Sequence, residues 1–170
     1  KIIILGGYQI GGNFASSNHV LEIDVKDQFD PKINKLKNMN YPRANQNAVI
    51  LPTGEVFVNG GQSGGNSDKD FSVFKPEIYN PSKNTWTSLS PATFRRNYHA
   101  TSLLLPNGTI LTAGGDVWNA EIYYPPYLFE KSWDGKRTVF AKRPEITEIK
   151  KTINNRSKVT MKVDDTKEIN

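Results

Sequence analysis

Three apolar runs along the chain close on a glycine doublet. Ile2-Ile3-Ile4-Leu5 precedes Gly6-Gly7, Val56-Phe57-Val58 leads to Gly60-Gly61, and Ile110-Leu111-Thr112-Ala113 precedes Gly114-Gly115. The second glycines, Gly7, Gly61 and Gly115, are spaced 54 residues apart in both intervals. The flanks keep the same step. Leu51-Pro52-Thr53-Gly54 and Leu105-Pro106-Asn107-Gly108 each sit between two apolar runs, the pattern of a tight hairpin. Strands are expected before them, over Asn45–Leu51 and His99–Leu105. After the second doublet come Ile78-Tyr79-Asn80-Pro81 and Thr85-Trp86-Thr87. After the third comes Ala120-Glu121-Ile122-Tyr123-Tyr124, and the first repeat has Val20-Leu21-Glu22-Ile23-Asp24. No helical period is present. Each unit therefore reads as about four short strands, and a ~50-residue repeat of that kind is a kelch-type propeller blade. Tyr79 and Trp86 are expected in a blade core.

The pattern changes after Tyr124-Pro125-Pro126-Tyr127-Leu128-Phe129. A polar stretch with Trp133-Asp134-Gly135 follows, then strands over Glu145–Lys150 and Ser157–Val163. In the latter Val159, Met161 and Val163 alternate with Lys158, Thr160 and Lys162, as in a half-buried antiparallel strand. The expected organisation is all-β: late propeller blades over residues 1–130, a linker over 131–143, and the first strands of a β-sandwich over 144–170. Two to three blades do not close a ring of about four to eight. The chain also opens inside an apolar strand. Both features predict a segment of a longer protein.

Composition narrows the chemistry. The chain of 170 residues has a net charge of +5 with its lysines dispersed, which suits solubility and gives no basic stripe for nucleic acid. It has no cysteine, so neither a disulfide nor a thiolate metal site lies within it. No apolar run reaches the ~18 residues of a membrane span.

Candidate site residues cluster ahead of inner strands. Arg95-Arg96-Asn97-Tyr98-His99 immediately precedes an apolar strand. Neighbouring strand residues face opposite ways, so Tyr98 and His99 can converge only in the loop entering that strand. The residues alone leave two readings open, a packing pair or half of a metal site. One repeat earlier the position of His99 is Asn45, so histidine is not a fixed feature of the repeat. Arg43, Arg95 and Arg96 either bridge blades or face the axial mouth. Gln62 and Trp118, after the second and third doublets, are further mouth candidates. His19 is expected to be structural or exposed, and Asp164-Asp165 a turn.

The segments "GGQSGG", "VFKPEIYNPSKNTW", "RRNYHATSLLLPNGTILTAGG", "NAEIYYPPYLF" and "KRPEITEI" together resemble galactose oxidase and its relatives, the copper-radical oxidases. The resemblance runs from Lys1 to about Val163. It implies the late blades of a seven-bladed kelch-type propeller, followed by the start of an early-set immunoglobulin-like domain. It implies oxidation of a primary alcohol or aldehyde by O2, giving hydrogen peroxide, at one copper paired with a radical on a Cys-crosslinked tyrosine. Carried over by position, Tyr98 is a copper ligand and the catalytic proton acceptor, and His99 is a copper ligand. Imidazole and phenol together suit Cu(II). A phenol on a metal ion gives up its proton more readily, and the phenolate can take a substrate proton. The crosslinked Cys-Tyr pair is implied upstream of Lys1 and the second copper histidine beyond Asn170. The loop Gly61-Gln62-Ser63-Gly64-Gly65-Asn66-Ser67-Asp68 is small and polar where the family carries a substrate-facing aromatic, which points away from galactose itself. The implied partners are a small alcohol, aldehyde or carbohydrate and O2, in a monomer that is extracellular, on the cell surface or periplasmic. A non-catalytic surface propeller that binds carbohydrate or a protein is the alternative.

Overall fold

The repeated Leu-Pro-X-Gly segments each build the same hairpin. Gly54 donates its N–H to the Leu51 carbonyl and Leu51 donates to the Glu55 carbonyl, both at 2.9 Å. Gly108 and Leu105 repeat the two bonds at 2.8 Å, to Leu105 and Thr109. Both glycines are left-handed, with φ of 80° and 78°, a conformation that costs glycine nothing. The computed structural model describes residues 1–8, 15–27, 29–64, 71–149 and 161–164.

Each repeat is one antiparallel sheet. The first contains β1 (Ile2–Leu5), β2 (Val20–Asp24) and β3 (Lys32–Lys35), in that order. The second contains β4 (Ala44–Ile50), β5 (Val56–Gln62), β6 (Glu77–Asn80) and β7 (Thr85–Ser88), with β4 and β7 at its edges. The third contains β8 (Ala100–Leu104), β9 (Ile110–Gly114) and β10 (Ala120–Tyr123). β4 and β8, the first strands of the second and third sheets, lie side by side. These sheets make one compact unit, Lys1–Pro125.

The sheets stack through their apolar faces. Val20 of the first sheet joins Val56, Val58 and Tyr79 of the second in one buried cluster with Met39. Trp86 packs on that cluster and its ring lies 5.0 Å from that of Tyr79. Its indole N–H also donates to the Lys37 carbonyl at 2.8 Å. Between the second and third sheets Phe57 stacks on Tyr123, with ring centroids 4.8 Å apart. The Ser102 hydroxyl donates to Asn59 at 2.8 Å across the same seam. His19 is exposed and takes part through its backbone: its carbonyl accepts from Gly6 at 2.9 Å.

The second compact unit is Pro126–Asn170. A 3-10 turn, Pro126–Leu128, leads into β11 (Phe129–Lys131), which pairs with β12 (Thr138–Phe140). The stretch read as a linker from sequence thus contains a hairpin around Asp134, whose carboxylate accepts from Ser132 and Lys136. β13 (Glu145–Ile149) pairs antiparallel with β14 (Met161–Asp164). The half-burial expected at Met161 is not seen: Met161 is exposed, as is Ile146 on its partner strand. A two-stranded sheet needs a second layer to cover it, and none covers this one among the described residues. Positions 150–160 and 165–170, including most of the expected Ser157–Val163 strand and Asp165, lie outside the described residues.

Candidate functional site

The first two glycine doublets are where neighbouring blades touch. Gly7 donates its N–H to the Arg43 carbonyl at 2.8 Å, and Gly61 donates to the Arg96 carbonyl at 2.7 Å. The first glycine of each doublet has no room for a side chain. A Cβ on Gly6 would sit 2.4 Å from the Arg43 oxygen, and one on Gly60 would sit 2.2 Å from the Arg96 oxygen. The approach explains the doublet: only glycine brings one blade's backbone this close to the next.

The two arginines then turn back onto their own blades. Arg43 is 0% exposed. Its guanidinium donates to the Gly60 carbonyl at 2.8 Å and pairs with buried Glu77 at 3.0 Å, and it also meets the Lys75 carbonyl. Burial pulls its pKa below the usual arginine range, and the adjoining Glu77 carboxylate opposes that shift. Arg96, also buried, donates to Gly114, Thr112, Asn119 and, at 3.5 Å, Glu121. As mouth residues, Arg43 and Arg96 are corrected here. Their charged ends are buried and bonded within their own blades, and it is their backbone carbonyls that reach the neighbouring blade, at Gly7 and Gly61. Arg95 is half-buried and its carbonyl accepts from Arg96 at 3.3 Å.

Gln62 is likewise 0% exposed. Its amide donates to the Tyr8 hydroxyl at 2.8 Å, and the same hydroxyl accepts from Asn45 at 3.1 Å. The open mouth position expected for Gln62 is therefore not found in this chain. Tyr8 itself went unnoticed in the sequence, although the repeat could have exposed it: Tyr8, Gln62 and Asp116 each follow a doublet at the 54-residue step. Trp118 is 104% exposed, so it packs in no blade core among the described residues.

Tyr98 and His99 do come together. Their ring centroids lie 3.7 Å apart with planes tilted by 33°. The reason is local. His99 has φ of 62°, so the strand expected from His99 begins instead at Ala100. Alternation fails at that residue, and its ring swings beside that of Tyr98. Asn45 holds the same left-handed backbone, with φ of 58°, so the conformation repeats while the side chain does not. Both Tyr98 and His99 are exposed, Tyr98 to 41%. A phenol oxygen and an imidazole nitrogen presented together match the mixed donors of a copper site. Among the described residues no group of three or more His, Cys, Asp or Glu gathers to hold a metal. No described helix is long and apolar enough to cross a membrane.

The chain is similar to several known proteins. The family profile described as "Glyoxal oxidase N-terminus" matches residues 13–130. Galactose oxidase of Gibberella zeae is 30% identical over 159 residues, covering 86% of this chain and 22% of that protein. The aldehyde oxidase GLOX1 of Arabidopsis thaliana is 30% identical over 113 residues, which are 55% of this chain and 18% of that protein. This chain thus spans about a fifth of the length of these relatives. Among solved structures, a fungal alcohol oxidase of the AA5 family in complex with copper matches 96% of this chain and 36% of its own. The TM-score is 0.76 at 29% identity, and the shared architecture is the galactose oxidase-like β-propeller.

Proposed function

This chain belongs to the galactose oxidase and glyoxal oxidase family of copper-radical oxidases, and on that premise we propose that it supplies Tyr98 and His99 to the copper site of an oxidase. The whole protein converts a primary alcohol or aldehyde with O2 and releases hydrogen peroxide. The observation that carries the reading is the exposed Tyr98–His99 pair, with rings 3.7 Å apart on a turn formed by a left-handed His99. Bound copper supplies Lewis-acid and one-electron redox chemistry. His99 holds it through a ring nitrogen. Tyr98 holds it through its phenol oxygen and, as the catalytic base, takes the substrate's hydroxyl proton on that same oxygen.

The remaining parts lie elsewhere in the protein. A Cys-crosslinked tyrosine is placed upstream and a second copper histidine downstream. Residues 1–130 are the late blades of a kelch-type propeller, residues 131–143 connect, and residues 144–170 begin an early-set immunoglobulin-like domain. The protein works as a monomer outside the cell, on its surface or in a periplasm. The substrate is a small alcohol, aldehyde or carbohydrate, and Arg95 and Trp118 remain candidates to line its approach.

The test is a peroxide assay on the copper-loaded whole protein with a panel of primary alcohols and aldehydes. Wild type is expected to release peroxide, and Tyr98→Phe, which lacks the proton-accepting oxygen, to lose at least about a hundredfold in kcat. Undiminished peroxide release by Tyr98→Phe would remove the catalytic role. If wild type releases none with any substrate in the panel, the protein is better read as a binding propeller.

A further inference from the structure

The Tyr98–His99 turn exists because the third blade carries one extra residue. In the second blade Arg43, whose carbonyl receives Gly7, is separated from left-handed Asn45 by Ala44 alone. Ala44 is already in β4, paired with Gln62. In the third blade Arg96, whose carbonyl receives Gly61, is separated from left-handed His99 by two residues, Asn97 and Tyr98. The extra residue cannot join the strand. The chain instead makes a turn in which Ala100 donates its N–H to the Asn97 carbonyl at 3.1 Å.

A turn widened in this way needs something to hold it, and Asn97 is placed to do so. It is 4% exposed, in contrast to the two exposed residues after it. Its backbone nitrogen runs over Gly115, where a Cβ would approach to 2.9 Å. Its side-chain amide donates to the Ser72 hydroxyl at 2.9 Å. Ser72 belongs to the neighbouring blade. It bridges Gln62 across the base of the connection from β5 to β6, and beside it Ser63 donates its N–H to Phe71 at 2.9 Å. The connection is thus pinched shut at its base, and Asn97 grips that base from the next blade.

We propose that Asn97 is a positioning residue for the copper-binding turn, acting through Ser72. The bond between them fixes Tyr98 and His99 relative to the preceding blade and sets the angle at which both donors meet the metal. The inference rests on the copper reading given above. Groups that orient metal ligands without touching the metal commonly change its affinity by about 10–100-fold.

The experiment uses the whole protein and reads copper affinity by chelator competition, together with the Cu(II) paramagnetic resonance spectrum. Ser72→Ala and Asn97→Ala are each expected to weaken copper binding at least about tenfold and to alter the copper hyperfine splitting. The double variant is expected to be no weaker than the worse single one, as for two ends of one bond. Ser72→Thr keeps the hydroxyl and is expected to retain wild-type affinity and spectrum. Should Asn97→Ala fail to fold, the Ser72 pair carries the test alone. An unchanged spectrum and affinity in Ser72→Ala, with only a lower melting temperature, overturns the positioning role. His99→Ala separates the two levels. If it loses copper while Ser72→Ala does not, only the positioning role falls. If it binds copper as wild type does, the copper reading falls with it.

Discussion

At the scale of single residues, His99 does two jobs that can be taken apart. Its backbone is left-handed, as is that of Asn45 at the same place one repeat earlier. Asparagine tolerates that conformation well. His99→Asn is therefore expected to keep stability within about 0.5 kcal/mol while removing the imidazole. Denaturant melts of the whole protein check this, and a large loss of stability would show that the ring itself holds the turn. Tyr123 gives a second residue-scale prediction. Burial against Phe57 pushes its phenol up to about 12. The folded protein keeps this proton while the unfolded chain loses it near pH 10. The stabilisation from this group is complete below pH 10 and is lost as pH rises toward about 12. Ultraviolet titration is expected to show a phenol ionising late, toward about 12, and removal of that phase by Tyr123→Phe assigns it. Sequence showed Tyr98 and His99 as a pair but not how they converge, because one positive φ leaves little trace in residue types. It did not show Asn97 or Ser72 at all, since their bond joins two blades.

At the scale of elements, the blade seam is built from an arginine, a glycine doublet and a glutamate. Arg43 and Glu77 are both fully buried, 3.0 Å apart. Removing one partner leaves the other charge buried and unpaired, so Arg43→Ala is expected to cost about 3–5 kcal/mol. Equilibrium unfolding measures it, and a loss below 1 kcal/mol, the scale of an exposed pair, would show that water reaches Glu77. The doublets and the hairpin turns were legible in sequence because a 54-residue repeat shows each more than once, whereas the Tyr79–Trp86 pair occurs once and was legible from its place in the blade pattern. The arginines were legible as a choice between bridge and mouth. Their burial takes the guanidinium groups out of the mouth, their bonds to Gly60 and Gly114 keep them within their own blades, and only their backbone carbonyls cross to the next blade. The one-residue expansion before His99 was hidden for the opposite reason. It lies between two repeats that otherwise keep perfect step.

At the scale of the whole molecule, the chain contributes three successive propeller sheets and a second compact unit, Pro126–Asn170, about a fifth of the length of its relatives. The propeller class was legible from the repeat, and the family from short segments around the repeat. The strands after Pro144 were legible as strands, but their burial was not, since a covering layer is a property of other chain segments. The central claim is that the turn at Tyr98 and His99 is part of a copper site completed elsewhere in the protein. The most direct measurement is paramagnetic resonance of the whole protein titrated with Cu(II), wild type beside His99→Asn. The account predicts one copper per wild-type molecule with nitrogen hyperfine structure, and weak, heterogeneous binding in the folded variant. Identical spectra and stoichiometry in the two proteins would contradict it.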